Sequence, residues 1–162
     1  MKKTITTENA LAEIFSFTGH GEVNEFHVMI HINSVGLTFS QQLDAVLDCY
    51  EHLKATELSG ATAVLKRYFL SDVANQADDV LLADTSDCAK SIIGQAPLDG
   101  SKIGLWVYLM TNVSSQQLPS GLYEVKHGDF RHLWNASAHN TAQNSEYQTR
   151  LLFNEYVMQL AQ

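Results

Sequence analysis

Residues 26–72 read FHVMIHINSVGLTFSQQLDAVLDCYEHLKATELSGATAVLKRYFLSD, and this stretch decides the fold class. Its first seven residues alternate. Phe26, Val28, Ile30 and Ile32 fall on one face of a strand over 25–33, with His27, Met29 and His31 on the other. The period then changes: Phe39, Leu43, Val46, Leu47, Tyr50 and Leu53 recur at spacings of three and four, which gathers them on one side of a helix over 38–53. Thr38 with Gln41 three residues later predicts a capping box at its start. Ala61 to Leu70 returns to a strand, and Ser71-Asp72 opens a short second helix through Val73, Ala77, Val80 and Leu81.

Working outward, Leu11 to Phe17 reads as an earlier strand, closed by Thr18-Gly19-His20-Gly21. Asp84 to Asp87 is a polar loop. Ser91 to Gln95 is a strand stopped by Pro97 and the turn signal Asp99-Gly100. Lys102 to Met110 (KIGLWVYLM) is apolar on both faces: Ile103, Leu105, Val107 and Leu109 alternate with Gly104, Trp106, Tyr108 and Met110. Such a strand is expected to be covered by helices on one side and by other subunits on the second. Thr111 to Ser120 reads as irregular, Gly121 to Ser137 as one or two strands, and 145–162 as a helix with Ser145 and Gln148 in capping-box positions. The expected order is β-β-α-β-α-β-β-β-α, an α+β domain with one layer of helices on one sheet. The unit FHVMIHI…FSQQLDAVLDCYEHL has an echo in FRHLWNA…SEYQTRLLFNEYVMQL, Gln42 matching Gln148 and Tyr50 matching Tyr156. Either a duplicated strand–helix element appended over 121–162 or the chance likeness of two amphipathic helices accounts for it.

The chain has 162 residues, 45% of them apolar and 17% charged, which fits one globular domain with a sizeable core. Ten Lys plus Arg against 18 Asp plus Glu give −8, which disfavours sequence-independent binding to nucleic acid. No apolar run approaches a membrane span. The opening MKKTITTENALAEIF carries two lysines but no apolar segment after them, so a cytoplasmic location is expected. Cys49 and Cys88 form no CxxC pair and read as reduced thiols. His27 and His31 lie on one strand face roughly 13 Å apart, too far to share one zinc ion. Neither a metal nor a cofactor is expected.

A Gln-containing helix (FSQQLDAVLDCYEHLK), the turn Gly60-Ala61, a strand ending Phe69-Leu70-Ser71-Asp72, a second helix, and AKSIIGQAPLDG before a hydrophobic strand stand in this order. Together they resemble the Rid superfamily (YjgF-like proteins) over about residues 25–110. The resemblance implies a chorismate-mutase-like fold, a homotrimer, and a small-molecule cleft at each subunit interface. Active members hydrolyse enamines and imines, using an arginine on the substrate carboxylate and a glutamate near the last strand; some relatives are labelled endoribonucleases. The family's Ala-Arg-Ser segment corresponds here to Ala89-Lys90-Ser91, or to Cys88 if aligned without a gap. KIGLWVYL holds no carboxylate, so both defining groups are missing.

The expected function is therefore binding or processing of a small carboxylate metabolite at intersubunit clefts. Enamine/imine deaminase-type or endoribonuclease-like hydrolysis and a non-catalytic structural trimer are the alternatives. An arginine on an apolar strand face needs a partner or a wet cleft, so Arg67 is either an interface salt bridge or the carboxylate clamp. Lys90 offers a second positive charge, and Gln95 and Tyr108 offer polar contacts. Trp106 and Trp134 are expected as packing or as an apolar wall, and His31, near its strand's end, as a cleft residue.

Overall fold

The computed structural model describes residues 1–19, 22–135 and 144–161. Six strands form the main sheet: β1 (Lys2–Thr6), β2 (Ala10–Thr18), β3 (Asn24–Ile32), β4 (Thr62–Leu70), β5 (Ala89–Gly94) and β6 (Ile103–Met110). Their order is β1-β2-β3-β6-β4-β5, and every pairing is antiparallel except β4 with β5. Two helices, α1 (Phe39–Ala55) and α2 (Val73–Ala83), are the crossovers that the β3–β4 and β4–β5 connections need. A second antiparallel sheet, β7-β8-β9 (Ser114–Gln117, Tyr123–His127, Phe130–Trp134), follows, and α3 (Ser145–Leu160) comes last.

Both crossover helices cover the same sheet face. Leu43, Val46, Tyr50 and Leu53 of α1 and Val80 of α2 pack with Ala12, Val28, Ile30, Tyr68, Leu70, Leu105 and Leu109 in one buried cluster. Removing this much apolar surface from water is the main stabilising force of the domain. The second sheet covers only one end of the opposite face. There Tyr123 and Val125 pack with Val64, Leu65, Ala89 and Met110.

A bulge at Val64 shapes that end. Ala63 pairs with Leu109 and Leu65 with Tyr108, so the intervening residue has no partner on β6. Strict alternation would send Val64 and Leu65 to opposite faces. The inserted residue instead lets both join the cluster under the second sheet.

Thr38 caps α1 as expected: its hydroxyl accepts from Gln41 N at 3.3 Å, and Gln41 Oε1 accepts from Thr38 N at 2.9 Å. Thr38→Ala is expected to lower stability by about 1 kcal/mol, read from the urea unfolding midpoint. For α3 the cap differs from the expectation. Asn144, not Ser145, accepts from Tyr147 N, at 2.9 Å, because its side chain reaches the free donor from one residue earlier. β1 and β7 are additions to the expected order. KKTIT and SSQQ bury little on either face and lack the apolar alternation that marks a strand, so their neighbours' hydrogen bonds define them.

Candidate functional site

Registers decide which side chains meet on the face opposite the helices. One cross-strand row runs Glu13, Met29, Trp106, Arg67, Ser91; the next runs Phe15, His27, Tyr108, Leu65, Ala89. Beyond the second sheet this face is a half-buried aromatic floor. The His27 ring stacks on Trp106 (5.7 Å between centroids, 7° between planes) and on Tyr108 (4.9 Å, 19°), and Phe17 meets His27 edge-on. Tyr108 donates its hydroxyl to Glu25 Oε2 at 2.7 Å, and burial together with that carboxylate pushes the phenol above its ordinary range. Phe15 and Phe17 remain 37% and 58% exposed, so the floor continues outward as apolar surface.

Arg67 rises from this floor. Its guanidinium lies over the Trp106 ring, 5.5 Å from the centroid, where the negative face of the indole favours a cation. Arg67 forms no ion pair among the described residues, and its Nε is buried without a hydrogen-bond acceptor there. A planar guanidinium on an aromatic surface, with its Nε donor unsatisfied among the described residues, has the shape for an anion bound through two parallel hydrogen bonds.

The seven residues singled out from the sequence fall in three neighbouring places. Arg67, Trp106 and Tyr108 share the floor. His31 and Gln95 line a cleft of about 360 Å³, where Met29, Phe69 and Gly104 lie opposite the 95–99 loop. In this cleft burial raises the Asp99 carboxyl, but hydrogen bonds from Ser101 outweigh it and hold the group below its ordinary value. Lys90 and Trp134 line a groove of about 810 Å³ that follows β5 between α2 and the second sheet. Lys90 pairs with Lys66 in register, one residue out of phase with the Arg67–Ser91 pair, so Lys90 and Arg67 leave opposite faces of the sheet. The Lys90 ammonium donates to Ser86 O. Trp134 tilts against Tyr108 (5.8 Å, 51°) and links groove to floor.

Behind the groove lies a polar cluster that the sequence does not announce. Asp84 ends α2 and looks like the start of an ordinary polar loop, yet its side chain is 3% exposed. It accepts from Lys66 Nζ at 3.0 Å, Tyr68 Oη at 2.6 Å, Ser86 Oγ at 2.6 Å and Ser86 N at 3.1 Å. Lys66, itself 1% exposed, also places its ammonium over the Tyr50 ring. Burial raises the Cys88 thiol, 3.5 Å from Ser86 Oγ, above its ordinary range, so it stays protonated at neutral pH.

No family model matches the sequence, and neither a curated protein nor a solved structure matches it. Among the described residues no helix is long and apolar enough to cross a membrane.

Proposed function

We propose that the chain is a divergent Rid-like subunit that assembles as a cytoplasmic homotrimer and binds a small carboxylate-bearing metabolite on its open sheet face. Arg67 grips the carboxylate, and Trp106 and Tyr108 form the wall beside it. The observation that carries this reading is the Arg67 guanidinium, stacked on Trp106 with a buried Nε that has no acceptor among the described residues. Such a donor costs free energy until an acceptor arrives, and a carboxylate supplies one with matching shape and charge.

Two further features support the reading. A sheet covered by helices on one face is the arrangement expected of a Rid-like subunit, and α1 and α2 here pack on the same face. Half-exposed Phe15 and Phe17 beside the floor offer a second copy apolar surface to cover. Arg67 would then lie at the edge of an intersubunit cleft.

Native mass spectrometry with a mixture of small carboxylates that includes chorismate tests both parts. A mass near three times 18.0 kDa, with adducts that vanish in Arg67→Ala, is the expected result. A trimer without adducts overturns the binding assignment, and a monomer removes the intersubunit cleft with it.

A further inference from the structure

We propose that His127 and His132, at the tip of the β8–β9 hairpin, chelate a divalent transition-metal ion through their Nε2 atoms. The hairpin register sets the pair up. His127 pairs with Phe130 and Val125 with His132, so the two histidines are diagonal neighbours on one face of the ribbon. Their Nε2 atoms converge to 3.0 Å. Two imidazole nitrogens bound to one tetrahedral zinc ion at its usual bond length lie roughly 3.3 Å apart, and at adjacent corners of a square-planar copper(II) ion about 2.9 Å. The observed separation falls between these, so an ion can enter with little rearrangement of either ring.

The surroundings favour a cation at this place. Phe130 stacks on the His127 ring (5.2 Å, 27°) and holds its orientation, while the His132 ring lies nearly parallel to it at 5.1 Å. The neighbouring cations are turned away: Lys126 and Arg131 pair with each other in register, out of phase with the histidines, and both engage Glu124. Those partners hold the Glu124 carboxyl down at about 2, Lys126 foremost, against the opposing effect of burial. Repulsion from the two basic side chains is thereby offset. No group of three or more His, Cys, Asp or Glu side chains fit to hold a metal occurs among the described residues, so water fills the remaining positions. Two neutral imidazoles with open positions select copper(II), nickel(II) or zinc over magnesium or calcium, which prefer oxygen ligands.

Copper(II) chloride titrated into the full chain, followed by electron paramagnetic resonance, and zinc chloride followed by calorimetry provide the test. One ion per chain at micromolar concentration, with nitrogen hyperfine structure from two imidazoles, is expected. His127→Gln and His132→Gln should each weaken binding by about tenfold or more, leave the metal-free melting temperature unchanged, and contrast with an unaffected His52→Gln. Failure to bind at micromolar metal, or binding unchanged in both hairpin variants, overturns the proposal and leaves the pair as a hydrogen bond between two ring nitrogens.

Discussion

Replacing Asp84 with alanine is expected to remove about 3–5 kcal/mol of stability, seen as a lower urea midpoint with an unchanged slope. Lys66 is 1% exposed, and its ammonium has the Asp84 carboxylate as its ion-pair partner. Without that partner a positive charge is left in the interior beside the Tyr50 ring, with no other ion-pair partner among the described residues. The Tyr68 hydroxyl and the Ser86 amide lose their acceptor in the same step. Against a total of about 5–15 kcal/mol for an ordinary domain, such a loss leaves the variant marginal at 37 °C.

Lys66→Met should cost less, because Asp84 keeps the donors of Tyr68 and Ser86. Equal losses in the two variants would mean that the charge pair matters less than packing. The same cluster predicts an acid limit. Burial raises the Asp84 carboxyl, but the bonds from Ser86 and Tyr68 and the charge of Lys66 prevail, and the folded-state value lies below the ordinary one. A depressed carboxylate stabilises the fold above its unfolded value of about 3.9 and ceases to do so as pH falls through the lower, folded value. Its stabilising contribution therefore holds at neutral pH and is lost below about pH 4. In Asp84→Asn that part of the acid dependence should disappear, which pH-dependent urea titrations will show.

Arg67→Met is expected to act in opposite directions on binding and on stability. Two charge-assisted hydrogen bonds to a carboxylate contribute about 1.5–3 kcal/mol each, so affinity for a chorismate probe should fall on the order of a hundredfold or more. The free protein should gain on the order of 1 kcal/mol. A thioether fills the space beside Trp106 without the buried Nε that lacks an acceptor among the described residues. Part of the gain is offset by the lost cation–π contact. Calorimetry and thermal melting separate the two effects. Unchanged affinity would remove Arg67 from the binding role. A fall in stability together with loss of the trimer would place it in a subunit contact instead.

The elements that bury a clear stripe were legible in the sequence. The alternation of FHVMIHI and KIGLWVYLM, the three-and-four spacing of α1 and the Thr38–Gln41 cap all follow from local rules, and the structure has them. β1 and β7 were not legible, since an edge strand of Lys, Thr, Ser and Gln is defined by its neighbour's hydrogen bonds. The bulge at Val64 escapes for a related reason: one extra residue changes the phase without changing composition. At the site, strand phase put Trp106 and Tyr108 on one face of their strand, whereas the meeting of Arg67 with Trp106 in one row depends on the β4–β6 register. That His27 would stack on both Trp106 and Tyr108 depends on β3 pairing with β6, a contact between residues some eighty positions apart. Asp84 and the His127–His132 pair were hidden likewise, since burial and convergence arise only after the chain has folded back on itself.

The place of β6 between β3 and β4 has a consequence for how the chain assembles during synthesis. β1-β2-β3 is a meander of near neighbours, and β4-α2-β5 is a second local unit, so each can begin to form as it leaves the ribosome. Neither can complete its hydrogen bonding until residues 103–110 arrive to join them. Until then β3 and β4 each present a bare apolar edge to any passing strand, the kind of edge that invites aggregation. Elongation speed between residues 70 and 110 should therefore govern soluble yield. A polypeptide released at Gly100 should accumulate as insoluble material even though most of its sheet is already encoded.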